Sequence, residues 1–213
     1  MSSTKTPINI AVMVSGHGRG SNLQAIMDAC KEGRIDGRVA VVIGVKDDTP
    51  AMERARSQGI LTVEVRPKEF ATDEEYGDRL LAVLSEYQID LICLAGYMRV
   101  LPSSVVRAYR WRIMNIHPAL IPLFGGKGMY GEHVHQAALD YGVKVSGCTV
   151  HFVDEEYDTG PIILQKAVPV EEGDTPETLA ARILVQEHIA YSEAIQLFAQ
   201  ARLRVDGRVV HVL

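Results

Sequence analysis

The stretch INIAVMVSGHGRGSNLQAIMDACKE, from Ile8 to Glu32, decides the fold. Ile8 to Val14 is an apolar run of strand length, Ser15 to Gly20 is rich in glycine, and from Ser21 the apolar Leu23, Ile26 and Met27 recur at helical spacing. A strand, a glycine turn and a helix in that order open a parallel α/β sheet, and the turn aims backbone N–H groups and the positive helix end at an anion. The turn is not a clean dinucleotide fingerprint, because Ser21 stands where the last glycine would pack helix on strand. It is not a Walker loop either, since no Gly-Lys-Ser/Thr ends it. A phosphate suits it, and Arg19 would add charge-assisted bonds.

Outward from this stretch the alternation continues. Apolar runs at Val39–Val45, Leu61–Val65, Asp90–Leu94 and Arg112–Ile116 are separated by helical patterns over Ser21–Glu32, Pro50–Gln58, Asp73–Tyr87 and Pro102–Ala108. After Ile116 comes a Pro/Gly-rich passage from Pro118 to Gly128 and a short helix near Tyr130–Asp140. Two β-rich runs follow, Lys144–Val153 and Ile162–Val170, expected to extend the same sheet with antiparallel members. Asp174-Thr175-Pro176-Glu177 combines an N-cap, a first-turn proline and an acidic residue, so a last helix starts there, with a hairpin expected around Asp206-Gly207. The expected fold is α/β and Rossmann-like, mostly parallel with helices on both faces and antiparallel strands in the C-terminal half. It reads as a single domain over 1–213 with two functional halves, about 8–116 and about 117–203.

The 213 residues are 47% hydrophobic and 23% charged, enough to bury a real core. A net charge of −5 argues against a broad nucleic-acid footprint, so an anionic ligand must be held locally. Met1 to Pro7 is polar and Ile8–Val14 is too short for a membrane span, so a soluble cytoplasmic protein with no membrane partner is expected. Cys30, Cys93 and Cys148 are odd in number, far apart and set in apolar segments, as buried thiols are. His133 and His135, at i and i+2 on a helix, point to nearly opposite sides, and no grouped histidines and cysteines suggest a metal.

Asn115-Ile116-His117-Pro118 ends a strand, where parallel sheets bind ligands. Asn115 and His117 share one face of the extended chain, and both can donate hydrogen bonds to a developing oxyanion. The acidic turn from Asp154 to Asp158 joins two β runs, and one carboxylate folding toward His117 could orient it and act as base. The residues leave Asp154 and Asp158 equally open. His151, leading into that turn, is either a packed strand histidine or a support behind the site.

Ser-Gly…Gly-Ser-Asn-Leu-Gln-Ala-Ile, Leu-Ala-Gly-Tyr-Met-Arg-Val-Leu, Asn-Ile-His-Pro and His-Phe-Val-Asp-x-x-x-Asp-x-Gly-Pro-Ile, in this order from Ile8 to about Leu203, resemble the phosphoribosylglycinamide formyltransferase family. The resemblance implies transfer of a formyl group from 10-formyltetrahydrofolate to the amine of glycinamide ribonucleotide, by a monomer or homodimer, with no metal and no nucleic-acid partner. It implies that Asn115 and His117 stabilise the oxyanion, and that Asp158 supports His117 and relays the amine proton. A carboxylate there should favour protonated His117. Tyr97, Met98, Arg99, Val100 and Leu101, with Val153 and Asp154, would form the folate pocket. Gly20, Ser21 and Asn22 would bind the substrate phosphate and Glu187 the ribose. The glycine loop is two residues longer than usual for the family, Asp73 stands where a basic residue often does, and Leu184 replaces a polar residue. Arg19 is expected to replace the lost phosphate-binding cation, with Lys68 the other candidate. The shared motif would also suit a formyltetrahydrofolate deformylase or another amine formyltransferase, and the glycine loop alone a nicotinamide- or nucleotide-binding module.

Overall fold

A computed structural model describes residues 6–16 and 18–213; His17, part of the glycine-loop reading, lies outside the described residues. Strands β1 (Ile8–Val14), β2 (Gly37–Gly44), β3 (Leu61–Glu64), β4 (Leu91–Leu94) and β5 (Ile113–His117) alternate with helices α1 (Ser21–Lys31), α2 (Pro50–Ser57), α3 (Asp73–Glu86) and α4 (Ser103–Ala108). Then come α5 (Glu132–Tyr141), β6 (Val145–Phe152), β7 (Ile162–Pro169), α6 (Pro176–Ala199), β8 (Leu203–Asp206) and β9 (Val209–Val212).

Among the described residues the strands form one nine-stranded sheet in the order β3-β2-β1-β4-β5-β6-β7-β9-β8. The first five pair in parallel, and β6 runs antiparallel to both β5 and β7. The expected mostly parallel sheet with late antiparallel strands is therefore what forms. Strand order reverses between β1 and β4, which opens a crevice at their carboxyl ends.

Alternation along β1 sends Ile10, Val12 and Val14 into one core and Ala11 and Met13 into the other, which is why the run is apolar throughout. The first core holds Leu23 and Ile26 of α1 with Leu179, Ile183 and Tyr191 of α6; the second holds Tyr76, Leu80 and Leu84 of α3 with Val105 of α4. Fully buried Tyr191 reaches the carbonyls of Leu94 and Met114 with its hydroxyl, at 3.0 and 2.9 Å, and so ties α6 to the ends of β4 and β5. The N-cap expected for α6 is Thr175, whose side chain accepts from the Thr178 N–H while Thr178 reaches back to the Thr175 N–H.

Candidate active site

Met114 and Ile116 pack into the first core, so Asn115 and His117 project from the other face of β5. The antiparallel register sets Asn115 opposite His151 of β6, and Asn115 Nδ2 lies 3.1 Å from His151 Nε2. His151 Nδ1 is 2.8 Å from the Phe152 carbonyl, which can only accept, so Nδ1 carries the hydrogen and Nε2 receives one from Asn115. The second hydrogen of the Asn115 amide goes to Asp158 Oδ1 at 3.4 Å. Asp158 Oδ2 accepts from the Gly126 N–H at 2.9 Å and stands 3.6 Å from His117 Nδ1.

The structure thus brings together Asn115, His117, His151 and Asp158. Asp154 is employed elsewhere: its Oδ1 accepts from the Glu156 N–H at 3.2 Å and the Thr159 hydroxyl at 2.6 Å, closing its own loop. Gly160 makes the approach of this loop possible, because a Cβ there would lie 1.7 Å from the Phe152 carbonyl oxygen. Asp158 has φ 55° and Phe124 has φ 54°, left-handed values uncommon for residues other than glycine.

The protonation expected for His117 is corrected by its burial. His117 is 4% exposed, and desolvation lowers its pKa more than Asp158 and the Phe124 carbonyl raise it, with His151 lowering it further. The resting imidazole is neutral. Its Nε2 lies 2.7 Å from the Phe124 carbonyl and must donate, so Nδ1 turns a bare lone pair toward Asp158. Burial pushes the Asp158 pKa up, but His151, His117 and the Gly126 N–H together outweigh it and leave the carboxyl below its usual value. A neutral nitrogen therefore faces an ionised carboxylate, an arrangement short of one proton.

These groups line a cavity of about 600 Å³. Asn22 enters it from α1 and gives Nδ2 to Glu187 Oε2 at 2.7 Å, while its Oδ1 is buried with no partner among the described residues. Glu187 is buried, and desolvation raises its pKa, offset in part by Asn22. Gly20 caps α1 at φ 72° with no side-chain bond, so the first N–H groups of the helix stay open to a ligand. Arg19, Gly20 and Ser21 stand outside the cavity lining. The Arg19 carbonyl is held by Arg54 at 3.3 Å, while its side chain is exposed. Lys68, exposed on a short 3-10 turn, and Asp73 in the first turn of α3 are not part of the lining, whereas Leu184 is.

Tyr97 to Leu101, Val153 and Asp154 line the cavity together. Tyr97 does so without its hydroxyl, which is bonded to that of Tyr76 at 2.8 Å inside the second core. The Met98 N–H is taken by Ser15 Oγ at 2.6 Å, and the Met98 and Val100 side chains are exposed. No group of three or more His, Cys, Asp or Glu among the described residues is arranged to hold a metal ion. No helix among them is long and apolar enough to cross a membrane.

Sequence reasoning passed over Phe124 and Gly126, which act through backbone atoms and leave no side-chain signal. It also passed over Lys127, embedded in a Gly-Gly-Lys-Gly run, and His135, weighed only as a metal ligand. His135 is buried, lines the cavity and has no partner for Nδ1 among the described residues.

Residues 8–195 match the family described as Formyl transferase. The chain belongs to it. It is 42% identical over 198 residues to phosphoribosylglycinamide formyltransferase of Escherichia coli strain K12, covering 93% of this chain and 90% of that one. It is 45% identical over 201 residues to the chloroplastic phosphoribosylglycinamide formyltransferase of Arabidopsis thaliana, covering 93% and 68%. Among solved structures, glycinamide ribonucleotide transformylase 1 from Symbiobacterium toebii is 50% identical, with a TM-score of 0.91 and coverage of 98% and 95%.

Proposed function

We propose that the protein transfers the formyl group of 10-formyltetrahydrofolate to the amine of glycinamide ribonucleotide, a step of purine biosynthesis, acting in the cytoplasm as a monomer or homodimer. The observation that carries this reading is the Asp158 carboxylate set 3.6 Å from Nδ1 of buried His117, beside Asn115, in a chain of the formyl transferase family.

The amine nitrogen attacks the formyl carbon, the C–N bond forms, and the carbonyl π pair moves to oxygen. The attacking nitrogen becomes acidic, and its proton passes to the site shared by Asp158 and His117, which is one proton short. His117 then carries two hydrogens and positive charge and stabilises the oxyanion. The Asn115 bond to Asp158 is its longer one, at 3.4 Å against 3.1 Å to His151, and is the one released as the oxyanion forms. That frees an N–H for the same oxygen. On collapse the C=O re-forms, the bond to N10 of the folate breaks, and N10 receives the proton, leaving tetrahydrofolate. No enzyme nucleophile is needed.

In this reading residues 8–116 and 117–203 are two halves of a single domain. The open N–H groups of Gly20, Ser21 and Asn22 receive the phosphate, with Arg19 beside them, and Glu187 receives the ribose hydroxyls. Tyr97 to Leu101 offer backbone groups and apolar side chains to the pterin, with Val153 and Asp154 opposite, and His151 holds Asn115. Ultraviolet absorbance after mixing the protein with 10-formyltetrahydrofolate tests the reaction. Tetrahydrofolate should appear only when glycinamide ribonucleotide is also present. Release without the amine would make the protein a deformylase, and no release would refute catalysis.

A further inference from the structure

The cavity presents an electrostatic problem to the substrate. It is lined by four carboxylates, Asp154, Glu156, Asp158 and Glu187, against two permanent cations, Arg99 and Lys127. A phosphate monoester near neutral pH carries between −1.5 and −2 charges, so it needs a cation of its own. Helix α6 supplies none, since its contribution beside Glu187 is Ala180, Ala181 and Leu184. Arg99 belongs to the segment after β4 and acts electrostatically on Tyr76 and Tyr97.

Like Arg99, Lys127 is exposed and makes no hydrogen bond or ion pair with any described residue, but it differs from Arg99 in two respects. Its backbone is fixed: the Met129 N–H bonds the Gly126 carbonyl at 3.1 Å and Gly128 has φ 90°, as in a type II turn with Lys127 at its second position. The turn is also tied to the catalytic centre, because the N–H of Gly126, one residue before, is the donor to Asp158. Lysine, a point charge on a flexible four-carbon stem, suits a phosphate approached from the side.

We propose that Lys127 is the cation that binds the substrate's phosphate from the cavity wall, and so selects phosphorylated over unphosphorylated amines. This rests on the formyl-transfer reading above. The test compares kcat/KM for glycinamide ribonucleotide and for its dephosphorylated riboside in wild type, Lys127→Gln, Lys127→Arg and Arg19→Ala. Loss of one charge-assisted contact at a partly solvated site should lower the ratio of the two values about tenfold in Lys127→Gln. Lys127→Arg should recover most of the ratio, and the Lys127→Gln protein should respond less to added salt. An unchanged ratio in Lys127→Gln, or equal losses on both substrates, overturns the proposal even if Arg19→Ala abolishes discrimination. A wild type that transfers no formyl group to either amine overturns the functional reading, a separate failure.

Discussion

Replacing Gly160 by alanine should cripple an active site that Gly160 never touches. The added Cβ would lie 1.7 Å from the Phe152 carbonyl oxygen, and both atoms belong to backbone-fixed positions; reaching even 3.0 Å requires a shift of about 1.3 Å. Phe152 is held in the ladder between β5 and β6, so the displacement falls on the loop of residues 153–159. That loop carries Asp158, whose bonds of 2.9 Å to Gly126 and 3.4 Å to Asn115 do not survive a movement of that size. Misplacing a reacting group by about 1 Å can cost on the order of 100-fold in rate, or about 2.7 kcal/mol. Steady-state formyl transfer measures this, with Gly160→Ala, Asp158→Asn and the double variant compared. Asp158→Asn alone should lower kcat by roughly 10²- to 10⁴-fold, the range for a positioned proton acceptor. If Gly160→Ala acts by moving Asp158, it should cost little more in the Asp158→Asn background. Wild-type kcat/KM in Gly160→Ala, or fully additive losses in the double variant, would refute the reasoning.

The lowered pKa of His117 means that the unfolded chain binds its proton more readily, so the stability it contributes is complete above about pH 6.5 and is lost as pH falls toward the folded value. Nuclear magnetic resonance of the imidazole should show a midpoint below 6.5, and a midpoint at or above it contradicts the burial argument. Glu187 carries the opposite sign: its raised pKa gives stability that is present below about pH 4.5 and lost as pH rises through the folded value. The Tm of Glu187→Gln should therefore gain on that of wild type as pH rises from about 4.5, and a difference that does not change with pH would contradict it.

The parallel half of the sheet was legible because strands buried on both faces read as unbroken apolar runs, and Asn115 and His117 shared a face by simple periodicity. Other features depend on contacts that no local pattern encodes. Asn115 meets His151 through a register joining residues 36 apart, across a Pro/Gly-rich passage and a helix. Asp154 and Asp158 share a loop and a chemistry, and the Thr159 hydroxyl and Glu156 N–H that occupy Asp154 become visible only when the turn is folded. The charge state of His117 was misjudged because a neighbouring carboxylate can be read from sequence motifs and 4% exposure cannot.

Asn115, His117 and His151 stand on adjacent strands and inherit their positions from a hydrogen-bonded ladder, whereas Lys127 stands on the connection between β5 and α5. In the proposed reading, then, the strand-borne part of the chemistry and the recognition of phosphate fall on different parts of the backbone. Altering the turn at residues 126–129 while keeping the Gly126 N–H on Asp158 offers a place to graft acceptance of other phosphorylated amines, with Asn115, His117 and His151 left on their strands.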